Sequence, residues 1–194
     1  MQNKKVKISL EEFIAGLDEA QRFHGHICPG MYNGVKMALG AKQILEIDYP
    51  DRDLIVVTEI DRCLTDALMI ITGCRFGRKT LKLKDLGKFA ATFKIGKQCL
   101  RIAQKDGIVK KVMSKLESTG IDYHDYKAAA ESFLEIPFYE HFSVTENSIS
   151  FDENELPGKP KIKINCSKCG ETVMDAKHVV IGDEPFCKSC IMPN

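Results

Sequence analysis

Leu54-Ile55-Val56-Val57-Thr58-Glu59-Ile60 is the stretch on which the fold turns. It is nearly continuous in β-favouring apolar residues, so it reads as a central strand. Asp51-Arg52-Asp53 before it is a turn, and Thr65 to Thr72 after it reads as a short helix ended by Gly73. Thr80 to Leu83 and part of Phe89 to Ile95 alternate polar and apolar residues, which predicts two strands with Gly87 as the turn between them. Gln98 to Gln104 is a further candidate strand. Upstream, Ser9 is an N-cap and Glu12 completes its capping box, starting a helix to about Phe23 with Phe13, Ile14, Leu17 and Ala20 inside. Phe23-His24-Gly25-His26-Ile27-Cys28-Pro29-Gly30 breaks it, and Pro29 suits the first turn of a second helix over Met31 to Leu45. Gly34, Ala38 and Ala41 give that helix a small-residue stripe. Two more helices are expected from Asp106 to Leu116 and from Asp122 to Leu134, the latter stopped before Pro137. Residues 143–160, dominated by Ser, Glu, Asn, Pro and Gly, read as a linker or an edge strand.

The chain has 194 residues, 44% hydrophobic and 28% charged, which is ordinary globular usage and predicts one domain with a small appendage. The boundaries drawn are 1–158 for the core and 159–194 for the tail. No run approaches the roughly 20 apolar residues of a membrane helix, and Met1-Gln2-Asn3-Lys4-Lys5 leads into no apolar signal core. A cytoplasmic protein without a membrane partner is expected. A net charge of +1 hides an uneven distribution. Residues 1–74 hold 8 basic and 11 acidic groups, residues 75–115 hold 13 and 2, and residues 116–194 hold 7 and 14. The basic block is either a solvated face balancing acidic flanks or a surface for phosphates or an acidic partner.

Eight cysteines without a signal segment point to metal ligands or reactive thiols rather than disulfides. Cys166-Ser-Lys-Cys169 and Cys187-Lys-Ser-Cys190, seventeen residues apart, have the spacing of a four-cysteine zinc site. Two cysteines three apart on a tight turn face one ion, and four thiolates satisfy tetrahedral zinc completely, so the site is structural. A tail of this length buries little core, and ligation supplies its folding energy. The charges around it are mixed, a poor phosphate footprint, which favours protein contact or domain packing over nucleic acid.

His24, His26 and Cys28 put three ligands within five residues at a loop–helix junction. A thiol at a helix start is the better nucleophile and ligand because the helix dipole stabilises its thiolate. Cys63 follows the central strand, where α/β sites gather, with Asp66 three residues on and Cys74 at the end of the same helix. These residues read as a second His/Cys metal site with an open position or as a redox thiol site. The alternative is that the thiols are small core hydrophobes and the histidines caps. Cys99 reads as core, and His124, His141 and His178 as satisfied or exposed side chains.

The ordered run Phe23–Gly30, Gly34, Asp61-Arg-Cys63-Leu-Thr-Asp66-Ala67, Thr72-Gly-Cys74-Arg-Phe-Gly77-Arg-Lys-Thr-Leu81 and Asp85-Leu-Gly87-Lys88 resembles the FmdE family, named for formylmethanofuran dehydrogenase, over roughly residues 10–150. The resemblance implies an α+β fold, a thioredoxin-like mixed sheet flanked by helices, followed by a treble-clef or ribbon zinc finger. It implies a homodimer and association with a molybdenum or tungsten formylmethanofuran dehydrogenase. It also makes His24, His26, Cys28, Cys63, Asp66, Cys74 and Lys88 the motif positions. Arg75-Phe76-Gly77-Arg78-Lys79-Thr80 departs from the Gly-rich stretch expected there and opens the basic block. That suggests a basic cleft for a small anion.

Two readings follow. In the first, a metal- or thiol-dependent enzyme or accessory subunit uses Cys28 and Cys63 as ligands or redox thiols. His24 is then ligand or acid/base, Asp66 belongs to the same site, and Lys88 contacts the anion. In the second, a non-catalytic regulatory module binds protein or nucleic acid through the zinc finger and the basic block. Only Phe76, Phe89 and Phe93 are aromatic in that block, thin for stacking on bases.

Overall fold

A computed structural model describes residues 4–192. The chain divides into two compact units, the first ending at Ile149 and the second beginning at Ser150. The linker is thus counted with the tail, and the division falls earlier than the 158/159 boundary drawn on composition.

The first unit is a mixed α+β layer structure. Helix α1 (Leu10–His24) is capped by Ser9, whose hydroxyl accepts from the Glu12 N–H. Helix α2 (Pro29–Leu45) has Cys28 as N-cap and is buried over most of its surface. A helix apolar all round belongs inside a protein. Here Met37, Ala38, Ala41, Ile44 and Leu45 join the cluster on the sheet, and Met31, Tyr32, Val35 and Leu39 join the helical one. Strand β1 (Ile55–Thr58) is buried throughout, and α3 (Cys63–Thr72) follows it. Then come β2 (Leu81–Leu83), β3 (Ala90–Ile95), β4 (Gln98–Gln104), α4 (Ile108–Thr119), α5 (Tyr126–Glu135), the single turn α6 (Phe138–His141) and β5 (Phe142–Glu146). The five strands lie in the order β2-β1-β3-β4-β5, parallel only between β1 and β2. Among the described residues no helix is long and apolar enough to cross a membrane.

Gly87 is not the tip of a hairpin. β1 lies between β2 and β3, because β1-α3-β2 is a parallel crossover and the next segment must arch back over the end of β1. Glu59 is the pivot of that arch. Its carbonyl accepts the Leu86 and Lys88 N–H groups at 2.9 and 3.2 Å, and its own N–H reaches Ala90 O at 2.9 Å. Its carboxylate, 8% exposed, takes a two-pronged contact from Arg101 at 2.6 and 2.7 Å.

Two approaches fix the helices that carry the site. A Cβ on Gly34 would lie 2.5 Å from Ala67 Cβ, so only glycine lets α2 and α3 meet there. Buried Lys36 donates to Phe133 O and Ile136 O, both at 2.6 Å, and to His141 Nδ1 at 3.1 Å. This clamps the C-terminal carbonyls of α5, where a cation also complements the helix dipole. Since Nδ1 of His141 accepts, Nε2–H donates to Asn33 Oδ1 at 2.9 Å, and Asn33 Nδ2 donates to Gln104 Oε1 at 2.9 Å.

The second unit is two short hairpins and a helical turn. β6 (Lys163–Asn165) pairs β7 (Thr172–Met174), β8 (Val179–Ile181) pairs β9 (Glu184–Phe186), and α7 (Lys188–Ile191) closes it.

Candidate functional site

The tail places its four cysteines as their spacing requires. Cys166 and Cys169 lie between β6 and β7, and Cys187 is the N-cap of α7 with Cys190 inside it. All four sulfurs lie within 4.8 Å of one another, and Cys169 Sγ is 3.9 Å from Cys187 Sγ. The edge of a tetrahedron with zinc–sulfur bonds of about 2.3 Å is about 3.8 Å, so the cage fits a closed zinc site. Backbone N–H groups of Cys169, Cys187 and Lys168 point at Cys166 and pull its thiol down to about 6, preparing a thiolate ligand.

In the first unit the site forms where α1 stops, α2 starts and β1 passes into α3. Gly25, at φ 88°, ends α1 just after His24. Buried Ile27 then pins the connecting loop, leaving His26 exposed and Cys28 half-buried beside it. On the other side, Thr65 ties the β1–α3 turn: its hydroxyl donates to Ile60 O at 2.5 Å and meets Thr58 Oγ1 at 2.9 Å. That turn starts α3 at Cys63, which faces Asp66 toward the histidines.

His24 is the organising residue. Its Nδ1 is 2.7 Å from Asp66 Oδ2, and its Nε2 is buried without a hydrogen-bond partner. With Nδ1–H given to the carboxylate, Nε2 carries the free lone pair. One donor atom each of His24, His26 and Cys28 lie within 4.8 Å of one another, and the two imidazoles are 4.5 Å apart between centroids. A histidine oriented by a carboxylate, with its other nitrogen left bare among further soft donors, is the arrangement of a metal ligand and its outer support. The residues therefore fit a borderline-soft divalent ion. Cys63 adjoins the trio without belonging to that mutual group, and its thiol shares a hydrogen bond with Cys28. Burial, then the Cys28 contact, pushes Cys63 up to about 11.

Gly30 makes the thiol pair possible. A Cβ there would sit 3.0 Å from Cys63 Cβ and 3.6 Å from each of the two sulfurs. A cleft of about 510 Å³ opens on the group, lined by His24, His26, Cys63 and Asp66 and also by Asp61, Arg62 and Phe76.

Three expectations need correction on geometry. Cys74 does not join the cluster: it lies past the far end of α3, roughly 15 Å along the helix by its rise, buried with its thiol directed to Leu54 O at 3.6 Å. Lys88 is exposed on the arch beside Glu59 and does not line the cleft. The basic block contributes only apolar Phe76 and Leu83 to the lining. Arg75 turns inward to Met69 O and Cys74 O, and Arg101 is committed to Glu59. Cys99 is buried on β4, His141 is buried and paired, and exposed His124 pairs with Asp122. Missed in the sequence were Thr65, a hydroxyl in the first helical turn, and Gly30, masked by its neighbouring proline as a mere helix start.

Residues 23–143 match the family model described as "FmdE, Molybdenum formylmethanofuran dehydrogenase operon". The chain belongs to that family. Residues 161–190 match a prokaryotic dksA/traR C4-type zinc finger. The FmdE match spans His24 through α6, so the whole His/Cys group lies inside it. A probable S-adenosyl-L-methionine-binding protein of Archaeoglobus fulgidus is 29% identical over 176 residues, covering 80% of this chain and 48% of that protein. This chain thus spans about half the length of that curated relative. A crystal structure of an FmdE-like protein of tungsten formylmethanofuran dehydrogenase, from Syntrophus aciditrophicus, is similar with a TM-score of 0.59 and 20% identity, covering 95% of this chain and 93% of that one. At that identity the likeness is one of fold.

Proposed function

We propose that this FmdE-family chain is a metal-binding accessory protein of molybdenum or tungsten formylmethanofuran dehydrogenase-type systems, with a reactive His24/His26/Cys28 centre in its core and a structural zinc in its tail. The observation that carries the reading is the bare, buried Nε2 of His24, held by Asp66 and facing a second imidazole and a thiol. Leaving such a nitrogen unpaired costs stability unless a partner takes its lone pair. A divalent ion there would supply Lewis acidity with positions left for a ligand. His24, His26 and Cys28 hold it, Asp66 fixes the His24 ring, and Cys63 stands beside the Cys28 sulfur. A small anionic ligand would meet the ion and Arg62, since Lys88 is elsewhere. The link to the dehydrogenase and a homodimeric state rest on the family alone.

Cobalt titration of the full chain tests the centre. The wild type should take a second equivalent with added thiolate-to-cobalt absorption, and Cys28→Ser should take only the tail equivalent. Identical titrations would sink the reading. Co-purification with the dehydrogenase subunits tests the partnership, and absence of any complex at micromolar concentrations would reject it.

A further inference from the structure

Cys63 is left over by the metal reading. It contacts the Cys28 thiol but lies outside the mutual ligand group. The two sulfurs converge on the bare Cα of Gly30, each 3.6 Å from where a Cβ would stand. Both cysteines are half-buried at the first residues of two helices, and Cys28, although an N-cap, makes no side-chain capping bond that would occupy its sulfur. The close packing of Gly34 on Ala67 one turn further along holds the two helix starts together. The other core-unit thiols are placed differently: Cys74 donates to Leu54 O, and Cys99 is buried in the sheet. Neighbouring thiols on two rigid helix starts, next to an open cleft, are a dithiol rather than two core hydrophobes.

We infer that Cys28 and Cys63 close reversibly into an intramolecular disulfide, and that closure withdraws the Cys28 sulfur from the metal-ligating group, making occupancy of the centre redox-controlled. The second half rests on the metal reading above. The oxidant is a small-molecule disulfide. One cysteine thiolate attacks a sulfur of that disulfide, forming a mixed disulfide and expelling one thiolate. The second cysteine thiolate attacks the cysteine sulfur of the mixed disulfide and expels the other. One S–S bond is broken and one formed. The two cysteine protons end on the two released thiols, the cysteines are oxidised by two electrons, and the small disulfide is reduced by two. The Cys28 sulfur, once in an S–S bond, is no longer a thiolate ligand.

The experiment uses the full metal-loaded chain, oxidised glutathione as the probe, and dithiothreitol for reversal. Peptide mapping should find residues 28 and 63 cross-linked, with loss of one metal ion per chain, both restored by reductant. Cys28→Ser and Cys63→Ser, each unable to resolve, should accumulate a glutathione adduct on the remaining thiol. Absence of the cross-link, with two separate adducts or none, overturns the inference while leaving the metal reading intact. A cross-link formed with metal content unchanged overturns the control of occupancy. A reduced protein that holds a single ion rejects the metal reading and the second half of the inference together, and the cross-link then decides the first half alone.

Discussion

At the scale of single residues, Asp66 and His141 carry the sharpest expectations. Asp66→Asn keeps the shape but weakens the hold on His24 Nδ1, so affinity of the core centre should drop about 10–100-fold with the tail zinc unaffected, measured by chelator competition. Unchanged affinity would mean the contact orients nothing. His141 is buried next to Lys36, and burial, then that charge, pushes it from 6.5 down to about 3. The unfolded chain takes up a proton near 6.5 that the folded chain refuses until about 3. The stability His141 contributes is therefore present above pH 6.5 and lost as pH falls through that window. His141→Gln should flatten the dependence of unfolding free energy on pH between about 6.5 and 3, and an unchanged slope would contradict the assignment. His24, His26 and Cys28 were legible because five consecutive positions hold all three. The His24–Asp66 contact joins positions 42 apart, and local spacing carries no information about it. Cys74 was misplaced for the converse reason: it shares a helix neighbourhood in sequence with Cys63 but sits at the other end of α3.

Among elements, the α2–α3 contact decides whether the thiols and histidines meet. Gly34→Ala would set a methyl 2.5 Å from Ala67 Cβ, and overpacking of this kind costs about 1–3 kcal/mol. Thermal unfolding should show a lowered midpoint, and the displaced helices should weaken the core metal as well. A wild-type midpoint would show that the helices can part freely. The stripe Gly34, Ala38 and Ala41 signalled a close approach in the sequence without naming its partner. Most helices and strands were legible from apolar periodicity and caps, such as Ser9 before α1 and Gly120 after α4. The order of strands was not. Alternation marks a strand at Thr80 to Leu83 and another before Ile95, yet nothing local says that β1 separates them. That depends on the crossover through α3 and on Glu59 as the pivot of the arch.

For the molecule as a whole, the two units differ in what holds them. The first has two apolar clusters, and the second has few buried side chains beyond Cys166 and Cys187. A strong chelator should therefore unfold the tail and leave the core folded. Limited proteolysis would then cut beyond Ile149 and spare a core fragment, whereas a resistant chelated tail would contradict a structural zinc. The tail cage was fully legible, because paired C-x₂-C spacings define it locally. The core centre was legible in its ligands but not in its support, which comes from three elements meeting. The measurement that bears most directly on the account is metal content per chain in the full-length protein, wild type against a His24→Ala/Cys28→Ser double variant. Two ions in the wild type and one in the variant are predicted; one ion in both would contradict the core metal centre.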